Sequence, residues 1–251
     1  MFLILGFVVK AQDKTISGAS TSSSVTAVVK HKIMLIPFES RMYMSEIDMA
    51  INKETKLSAK QIKEVMRDAV NEQLYKKLKS RMQVIDLLED SSKTQKDLAN
   101  IYKYLSYDYQ KVPSQDNFKA PIKEKDAKKI DKGQLAVEIN SDARFMNAKI
   151  KSASLVPYLY GKYKTDLFLF INELDIKSVT NIPGDYMSVT NRKISVHYTI
   201  YTYDAKEVNS GLAEVLMPIE VNNPAKISSA YFSQIADILA TRLQKAMSVK
   251  Q

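Results

Sequence analysis

The sequence contains no cysteine and no tryptophan, and only six of its 251 residues are glycine. Without cysteine there can be no disulfide, no thiolate metal ligand, no cysteine nucleophile and no lipid-modified N-terminal cysteine. The chain also has no Gly-x-Ser-x-Gly elbow, no phosphate-cradling glycine loop and no dinucleotide fingerprint. We therefore predict a protein with no cofactor, no metal and no catalytic residue set.

Arginine is sparse as well, so lysine supplies most of the formal net charge of +9. Proteins that read nucleic acids depend on arginine forks and stacking platforms. No such cluster occurs, and we predict no nucleic-acid partner. A lysine-rich surface is usually just solvated, but it can also rest on an anionic polymer or a membrane surface. A basic module of that kind stays open as an alternative function.

An unbroken apolar run from Phe2 to Val9 is too short to cross a bilayer as a helix. Small or β-branched residues stand at the positions that a signal peptidase reads, which predicts cleavage before Gln12. No basic residues precede the run, so an ordinary strand is the alternative. We interpret residues 1–11 as a signal peptide and residues 12–29, which are rich in Ser and Thr, as a flexible leader. This interpretation predicts a periplasmic or secreted protein.

The most informative stretch is Ile33–Ile36, four apolar residues with basic residues before them and Pro37 after them. Such a run predicts a strand that is buried on both faces and ends near the proline. Apolar residues then recur at three- and four-residue spacing over roughly 58–80, after a capping box formed by Ser58 and Gln61. A strand over residues 82–88 follows, which predicts a right-handed β-α-β unit with parallel strands.

The second half of the chain is predicted to be mostly strand. The remaining predicted elements are a helix from Ser92 to about 107–109, an exposed loop over 112–133, strands over 134–139, 145–151, 166–179, 193–204 and 212–221, and a final helix over 225–247. This order predicts the α/β (α+β) class, as a two-layer sandwich in which helices cover a mixed β-sheet. We interpret residues 30–251 as a single domain, with the loop over 112–133 as an insertion.

The residues Ile33–Glu39 resemble the hydrophobic strand followed by Pro-Phe in a periplasmic α/β domain. That domain is shared by the TolB amino-terminal domain, the curli secretion protein CsgG and the penicillin-binding-protein activator LpoB. The later elements follow in the same order, and Asp204–Val208 lies where this group often has an Asp-x-Lys-x-Gly turn, here without the glycine. The resemblance implies a periplasmic domain that binds or helps assemble other envelope proteins and performs no reaction. It leaves the partner and the oligomeric state unnamed.

A hydrolase that works through carboxylates is the alternative from a different class. Glu39, Glu46 and Asp48 follow the first strand, and ligands bind beyond strand ends in open α/β sheets. Together with Arg41, a carboxylate there could hold a ligand amine or act as a general acid or base. Helix capping and surface ion pairing explain the same residues without any chemistry.

Two further sets of ionisable residues have both a functional and a structural interpretation. Glu173 and Asp175 are two apart, so they point to the same face of a strand, as carboxylates of hydrolases can. Alternation on a solvent-facing strand gives the same spacing, and we favour it. His31 and His197 are the only histidines. They could meet in space, but no residue near them has metal-ligand spacing, so we predict structural roles.

Tyrosine is abundant and is favoured at protein interfaces. Several tyrosines lie in segments of weak periodicity, where burial in a core is not predicted by pattern. We predict that they join the strand-exit residues in contacting an envelope protein. The predicted partner-binding residues are Glu39, Arg41, Tyr43, Tyr107, Tyr109, Tyr158, Tyr160 and Tyr163.

Overall fold

A computed structural model describes residues 31–89, 91–112, 144–180 and 189–248. The predicted signal peptide, the leader, the strand over 134–139 and nearly all of the predicted loop insertion lie outside these residues. Among the described helices, none combines the length and the apolar character that crossing a bilayer requires.

The described chain forms eight strands and six helices. The strands are β1 (Lys32–Ile36), β2 (Tyr43–Ser45), β3 (Gln83–Asp86), β4 (Leu105–Lys111), β5 (Arg144–Ile150), β6 (Leu167–Thr180), β7 (Val189–Thr202) and β8 (Glu207–Pro218). The helices are α1 (Asp48–Thr55), α2 (Ala59–Lys79), α3 (Ser91–Lys103), α4 (Leu155–Tyr163), α5 (Pro224–Lys226) and α6 (Ser233–Ser248). A 3-10 turn at Ser40–Met42 precedes β2, and a π-helical turn at Ile227–Phe232 joins α5 to α6.

Six of the strands form one mixed sheet in the order β3-β1-β6-β7-β8, and β2 continues the line of β1 by pairing farther along β6. Strand β1 is parallel to both β3 and β6, whereas β7 is antiparallel to β6 and β8. The predicted β-α-β unit and the late hairpin are thus confirmed. Ile33–Ile36 is fully buried between two strands, and β1 ends directly before Pro37, as predicted.

Packing covers both faces of this sheet. Ile33 and Leu35 of β1 join the core formed with α2 and α6, on what we call the helix face. Met34 and Ile36 join the core formed with α3, α4 and the β4–β5 hairpin, on what we call the hairpin face. The predicted α/β class and mixed, helix-covered sheet are confirmed. The covered hairpin face adds a third layer to the two layers that were predicted.

Two segments differ from the sequence-based prediction. Helix α3 ends at Lys103, and the residues predicted as its last turn belong to β4. Strand β4 pairs antiparallel with β5 over its whole length. The strand predicted at 134–139, just before β5 in the chain, lies outside the described residues. The prediction also lacked α4, a nine-residue helix that buries Leu155, Val156 and Leu159. Local patterns miss the β4–β5 pair because its two strands are far apart in sequence.

The β4–β5 hairpin is fixed to the sheet by side chains that satisfy the outer edge of β5. The N–H of Met146 donates to His197 Nδ1 at 2.7 Å, and its carbonyl accepts from the Asn172 amide at 2.8 Å. The N–H of Ala148 donates to Thr199 Oγ1 at 3.1 Å, and its carbonyl accepts from the Tyr201 hydroxyl at 2.9 Å. These side chains replace a neighbouring strand, since buried backbone groups must find partners.

Replacing Thr199 tests this attachment. Thr199 is fully buried, accepts from Ala148 N–H and donates to Asn147 Oδ1 at 2.6 Å. Thr199→Val leaves both groups unsatisfied and is expected to lower the free energy of unfolding by about 2–6 kcal/mol, at roughly 1–3 kcal/mol for each orphaned group. Urea unfolding measures the change.

The same substitution at the exposed Thr241 is the control, with an expected change within about 0.5 kcal/mol. Thr241 hydrogen-bonds only within α6, to the Asp237 carbonyl. Equal stability of the two variants would show that the polar network does not hold the hairpin.

Candidate functional site

A β-bulge decides where the carboxylates of β6 point. Before the bulge, Leu169 and Ile171 face the helix side of the sheet, and after it Leu174 does so. The pairing register shifts at the intervening Asn172, which breaks the alternation of β6. Glu173 therefore lies on the hairpin face. The bulge places it beneath the β4–β5 hairpin and opposite His197 of β7.

Glu173, Asp175 and His197 form the centre of this site. One ligand-type atom from each lies within 4.8 Å of the others. All three are buried, with 3%, 8% and 3% of their surface exposed. The prediction that Glu173 and Asp175 share a face is confirmed. The favoured interpretation, a solvent-facing strand, is wrong here because the hairpin covers this part of the sheet.

These residues line a cavity of about 200 Å³ between the hairpin and β6, β7 and β8. Nine of its ten lining residues are polar or charged. The lining residues are Tyr109, Arg144, Glu173, Asp175, Lys177, Lys193, Ser195, His197, Leu212 and Glu214. The cavity is smaller than the roughly 300–1,000 Å³ of pockets for drug-sized ligands and much larger than the ~30 Å³ of one water molecule.

The hydrogen bond from Met146 sets the protonation of His197. Its Nδ1 accepts the Met146 N–H at 2.7 Å, so the proton of the neutral ring must be on Nε2. Burial, aided by the charges of Lys177 and Lys193, lowers the pKa of His197 to about 3. The ring is therefore neutral near pH 7. Its Nε2 lies 3.5 Å from Glu173 Oε1, which is too long or too bent for a hydrogen bond.

The Glu173 carboxylate has only long contacts for such a buried group. The Tyr109 hydroxyl lies 3.2 and 3.4 Å from its two oxygens, and His197 Nε2 is slightly farther away. Burial raises the pKa of Glu173, and the neighbouring Asp175 charge raises it further. One long hydrogen bond, a histidine nitrogen at 3.5 Å and a like charge thus leave this carboxylate poorly compensated.

Asp175 is compensated on one side only. Its Oδ2 accepts from Lys177 Nζ at 2.5 Å. Its Oδ1 is buried and has no hydrogen-bond partner in the described part of the chain. Orphaned buried oxygens are uncommon, and each one calls for an explanation such as a bound water or ion.

Three other polar residues of the cavity, Ser195, Lys193 and Glu214, are paired with one another. Ser195 donates to Glu214 Oε1 at 2.8 Å, and Lys193 Nζ lies 3.1 Å from the same oxygen. Because Ser195 is hydrogen-bonded to Glu214 and His197 Nδ1 to the backbone, the two do not form the serine–base pair that nucleophilic catalysis requires. The arrangement can hold a proton or a cation between Glu173 and Asp175.

The predicted residues at the exit of β1 form a separate cluster. Glu39 is held by Arg41, with Nε–Oε2 at 2.6 Å, and it accepts from the Tyr107 hydroxyl at 3.4 Å. Tyr43 is 4% exposed and belongs to the helix-face core, so it offers no contact surface in this fold. Its hydroxyl donates to Asp48 at 2.7 Å. These contacts fit the structural interpretation of the strand-exit residues.

The remaining predicted tyrosines fall in two places. Tyr109 lies over the cavity and is 55% exposed. Tyr158, Tyr160 and Tyr163 lie on α4, and Tyr203 from the β7–β8 turn joins them, with its ring centroid 5.2 Å from that of Tyr160. We call Tyr158, Tyr160, Tyr163 and Tyr203 the tyrosine surface. Sequence reasoning did not select Tyr203, because the turn and α4 meet only in the tertiary structure.

A buried carboxylate anchors this tyrosine surface. Asp97 of α3 accepts from the Tyr158 hydroxyl at 2.9 Å, from Lys162 Nζ at 2.5 Å and from the Tyr163 hydroxyl. Burial alone would raise the pKa of Asp97, but the hydrogen bonds from Lys162, Tyr163 and Tyr158 lower it below its ordinary value. The carboxylate is therefore ionised near neutral pH and fixes α4 against α3.

His31 and His197 do not meet. His31 lies 3.9 Å from Asp166, just before the first residue of β6, whereas His197 pairs with Glu173, well along that strand. Sequence reasoning also missed the cavity residues Arg144, Lys193 and Glu214. They come from three strands, and the only signal in the sequence was the spacing of Glu173 and Asp175.

The fold and the site together define a mixed α/β sheet protein. It has a highly charged cavity partly covered by the β4–β5 hairpin, and a separate tyrosine surface. No protein-family description, curated protein or solved structure matches the chain. Its function is therefore argued from these two features.

The carboxylates of Glu173 and Glu207 should affect the pH dependence of stability in opposite directions. The raised pKa of Glu173 stabilises the fold at low pH, and this contribution is lost as pH rises from 4.5 through the raised value. Glu207 is half-buried, and although burial would raise its pKa, bonds from Lys149, Ser210 and Asn147 lower it. Its contribution is present above 4.5 and is lost as pH falls.

We expect Glu173→Gln to be relatively more stable at pH 8 than at pH 4, and Glu207→Gln to be relatively less stable. Urea unfolding of both variants and the parent at a series of pH values, in metal-free buffer, measures these differences. The two curves serve as controls for each other. Parallel curves would contradict the assigned directions.

Proposed function

We propose that this chain is an exported, non-enzymatic domain that binds another protein of the cell envelope through the tyrosine surface. The observation that carries the proposal is that this surface exposes large aromatic rings which the fold holds in place. Tyr158, Tyr160 and Tyr203 are 50%, 39% and 51% exposed. Large aromatic side chains at the surface of a folded domain are typical of interaction sites.

The tyrosines are held in place before any partner arrives. Hydrogen bonds to Asp97 fix Tyr158 and Tyr163, and ring contact with Tyr203 fixes Tyr160. Rings that are already ordered lose little conformational entropy on binding, so more of the contact energy remains as affinity. Exposed tyrosines on a freely moving loop would lack this advantage.

Lysines around the tyrosine surface favour an acidic partner. Lys164 Nζ lies 5.8 Å from the Tyr160 ring centroid, and Lys162 Nζ lies 5.1 Å from that of Tyr163. The net charge of +9 has the same sign. Complementary charge raises the rate of association and makes it depend on salt.

The motif Ile33–Glu39 carries the resemblance to the periplasmic α/β domain described above, and we include that relationship in the proposal. Export is supported by the apolar run at Phe2–Val9. Binding is favoured over the carboxylate-dependent hydrolase because Glu39 is engaged by Arg41 and Asp48 by the Tyr43 hydroxyl, which fits a structural role for both carboxylates. The basic-module alternative shares the same lysines, and the experiment below distinguishes it because a polymer or a lipid gives no discrete protein adduct.

Site-specific crosslinking tests the tyrosine surface. The full chain is expressed in its own cells with a photo-crosslinking benzoylphenylalanine in place of Tyr160. We expect one discrete adduct, weakened by high salt because the partner is acidic. Adding Tyr203→Ala should reduce the adduct, because the ring that orients position 160 is removed.

The control carries the same crosslinker in place of Met49, which is 87% exposed on α1. Helix α1 packs on the helix face, whereas α4 packs on the hairpin face. Position 49 should give no such adduct. Identical adducts from the two positions, or adducts that ignore Tyr203→Ala, would refute the tyrosine surface as the binding site.

The N-terminal residue of the mature protein tests export. We expect the protein from the extracytoplasmic fraction to begin at Gln12, because the preceding residues match a signal-peptidase site. Mass spectrometry of the intact chain measures this. A chain that retains Met1 and stays in the cytoplasmic fraction would contradict the proposal.

A further inference from the structure

The cavity under the hairpin holds two buried carboxylates with weak or incomplete hydrogen bonding, although its three acidic lining residues are matched in formal charge by Arg144, Lys177 and Lys193. Glu173 has contacts of 3.2 Å or longer, from the Tyr109 hydroxyl and His197 Nε2. Asp175, which is 8% exposed, has one oxygen without any hydrogen-bond partner in the described residues. Carboxylates so close together and so buried are stable only with a compensating charge or hydrogen-bond donor.

We propose that this cavity binds a divalent cation that prefers oxygen ligands, such as Ca²⁺, Mn²⁺ or Mg²⁺, with Glu173 and Asp175 as its protein ligands. This inference goes beyond the proposed protein-binding function and does not depend on it, since the tyrosine surface is a different part of the molecule.

The hydrogen bond that His197 accepts from Met146 determines whether the histidine can be a metal ligand. A histidine that binds a metal usually donates its other ring N–H to an acceptor. Here the other nitrogen, Nδ1, accepts a hydrogen bond from Met146 N–H instead. A metal on Nε2 would require either a doubly deprotonated ring or the loss of a bond that holds β5 to the sheet. His197 is therefore a positioning residue, which fixes β5 to the sheet and places its Nε2 3.5 Å from Glu173.

Oxygen-preferring cations need fewer protein ligands than zinc structural sites do. Mg²⁺ and similar ions are commonly held by one or two carboxylates and complete their coordination with water. A cavity of about 200 Å³ has room for the ion and several waters, at ~30 Å³ for each water. The Tyr109 hydroxyl donates to Glu173 and so orients that carboxylate.

Lys177 would compete with the cation for Asp175. Its Nζ pairs with Asp175 Oδ2 at 2.5 Å, while its side chain is 57% exposed and can turn into solvent. A cation that binds Asp175 must displace or share this ammonium group. Removing the lysine charge should therefore increase the affinity for the cation, because like charges repel at short range.

Calorimetric titration of the EDTA-treated full chain tests the site. Ca²⁺, Mn²⁺ and Mg²⁺ are titrated separately into the parent and into Glu173→Gln and Asp175→Asn. We expect binding to the parent and a loss of at least about tenfold in each variant, since each removes one charged ligand. Thermal unfolding shows whether each variant is folded. No binding by the parent, which would leave only a water in the cavity, overturns the proposal, as does undiminished binding by the folded variants.

Lys177→Met and Lys60→Met form a matched pair, because both remove one positive charge from the chain. Lys60 is 87% exposed on α2 and pairs only weakly with Glu64 at 4.0 Å. We expect Lys177→Met to bind the cation several-fold more tightly and Lys60→Met to bind it as the parent does. Equal affinities would overturn the assignment of Asp175 as a ligand.

Pulsed electron paramagnetic resonance of bound Mn²⁺ tests the role of His197. The proposal predicts no directly coordinated nitrogen. His197→Asn keeps an acceptor near the Nδ1 position for Met146 but removes the ring nitrogen beside Glu173, so it should weaken binding without changing this spectrum. A coordinated-imidazole signal in the parent that disappears in His197→Asn would overturn the assignment.

Discussion

The outer edge of β5 is the constraint on which the rest of the hairpin face depends. Both backbone groups of Met146 and of Ala148 point at the main sheet, where a strand edge meets a strand face and no ladder can form. Side chains of β6 and β7 take over the pairing, among them His197 and Thr199. A strand edge that is covered in this way is neither exposed to solvent nor open to a second chain.

This attachment and the electrostatics of the cavity support each other. The hairpin covers His197, and burial together with the lysines Lys177 and Lys193 keeps the imidazole neutral. Only a neutral ring can accept the Met146 N–H. Burial of His197 therefore maintains the hydrogen bond to Met146, and that hydrogen bond in turn holds the hairpin that buries His197. The same cover withdraws Glu173 from water and raises its pKa. One structural feature thus fixes a histidine tautomer and concentrates poorly compensated negative charge.

Much of the architecture could be predicted from the sequence because its signals are local. The apolar run Ile33–Ile36, the capping box at Ser58 and the alternation of β7 each depend on residues that are neighbours in the chain. The prediction was wrong where pairing joins distant segments. Local patterns predict the first residues of β4 as the end of a helix, because its partner β5 begins more than thirty residues later. The exposed tyrosines of α4 gave no apolar stripe to reveal that helix.

The candidate site could be predicted only in part. The spacing of Glu173 and Asp175 indicated a shared face. Whether these residues lie on the helix face or on the hairpin face depends on the bulge at Asn172. Such a bulge leaves no periodic signal in the sequence. The sequence by itself determined the α/β class, the central strand and the exclusion of thiol and glycine-loop chemistry, because composition and short-range patterns are sufficient for these. Only the tertiary structure decided that two carboxylates and a histidine are buried together, because a strand edge from a distant segment had to find its hydrogen-bond partners on that face.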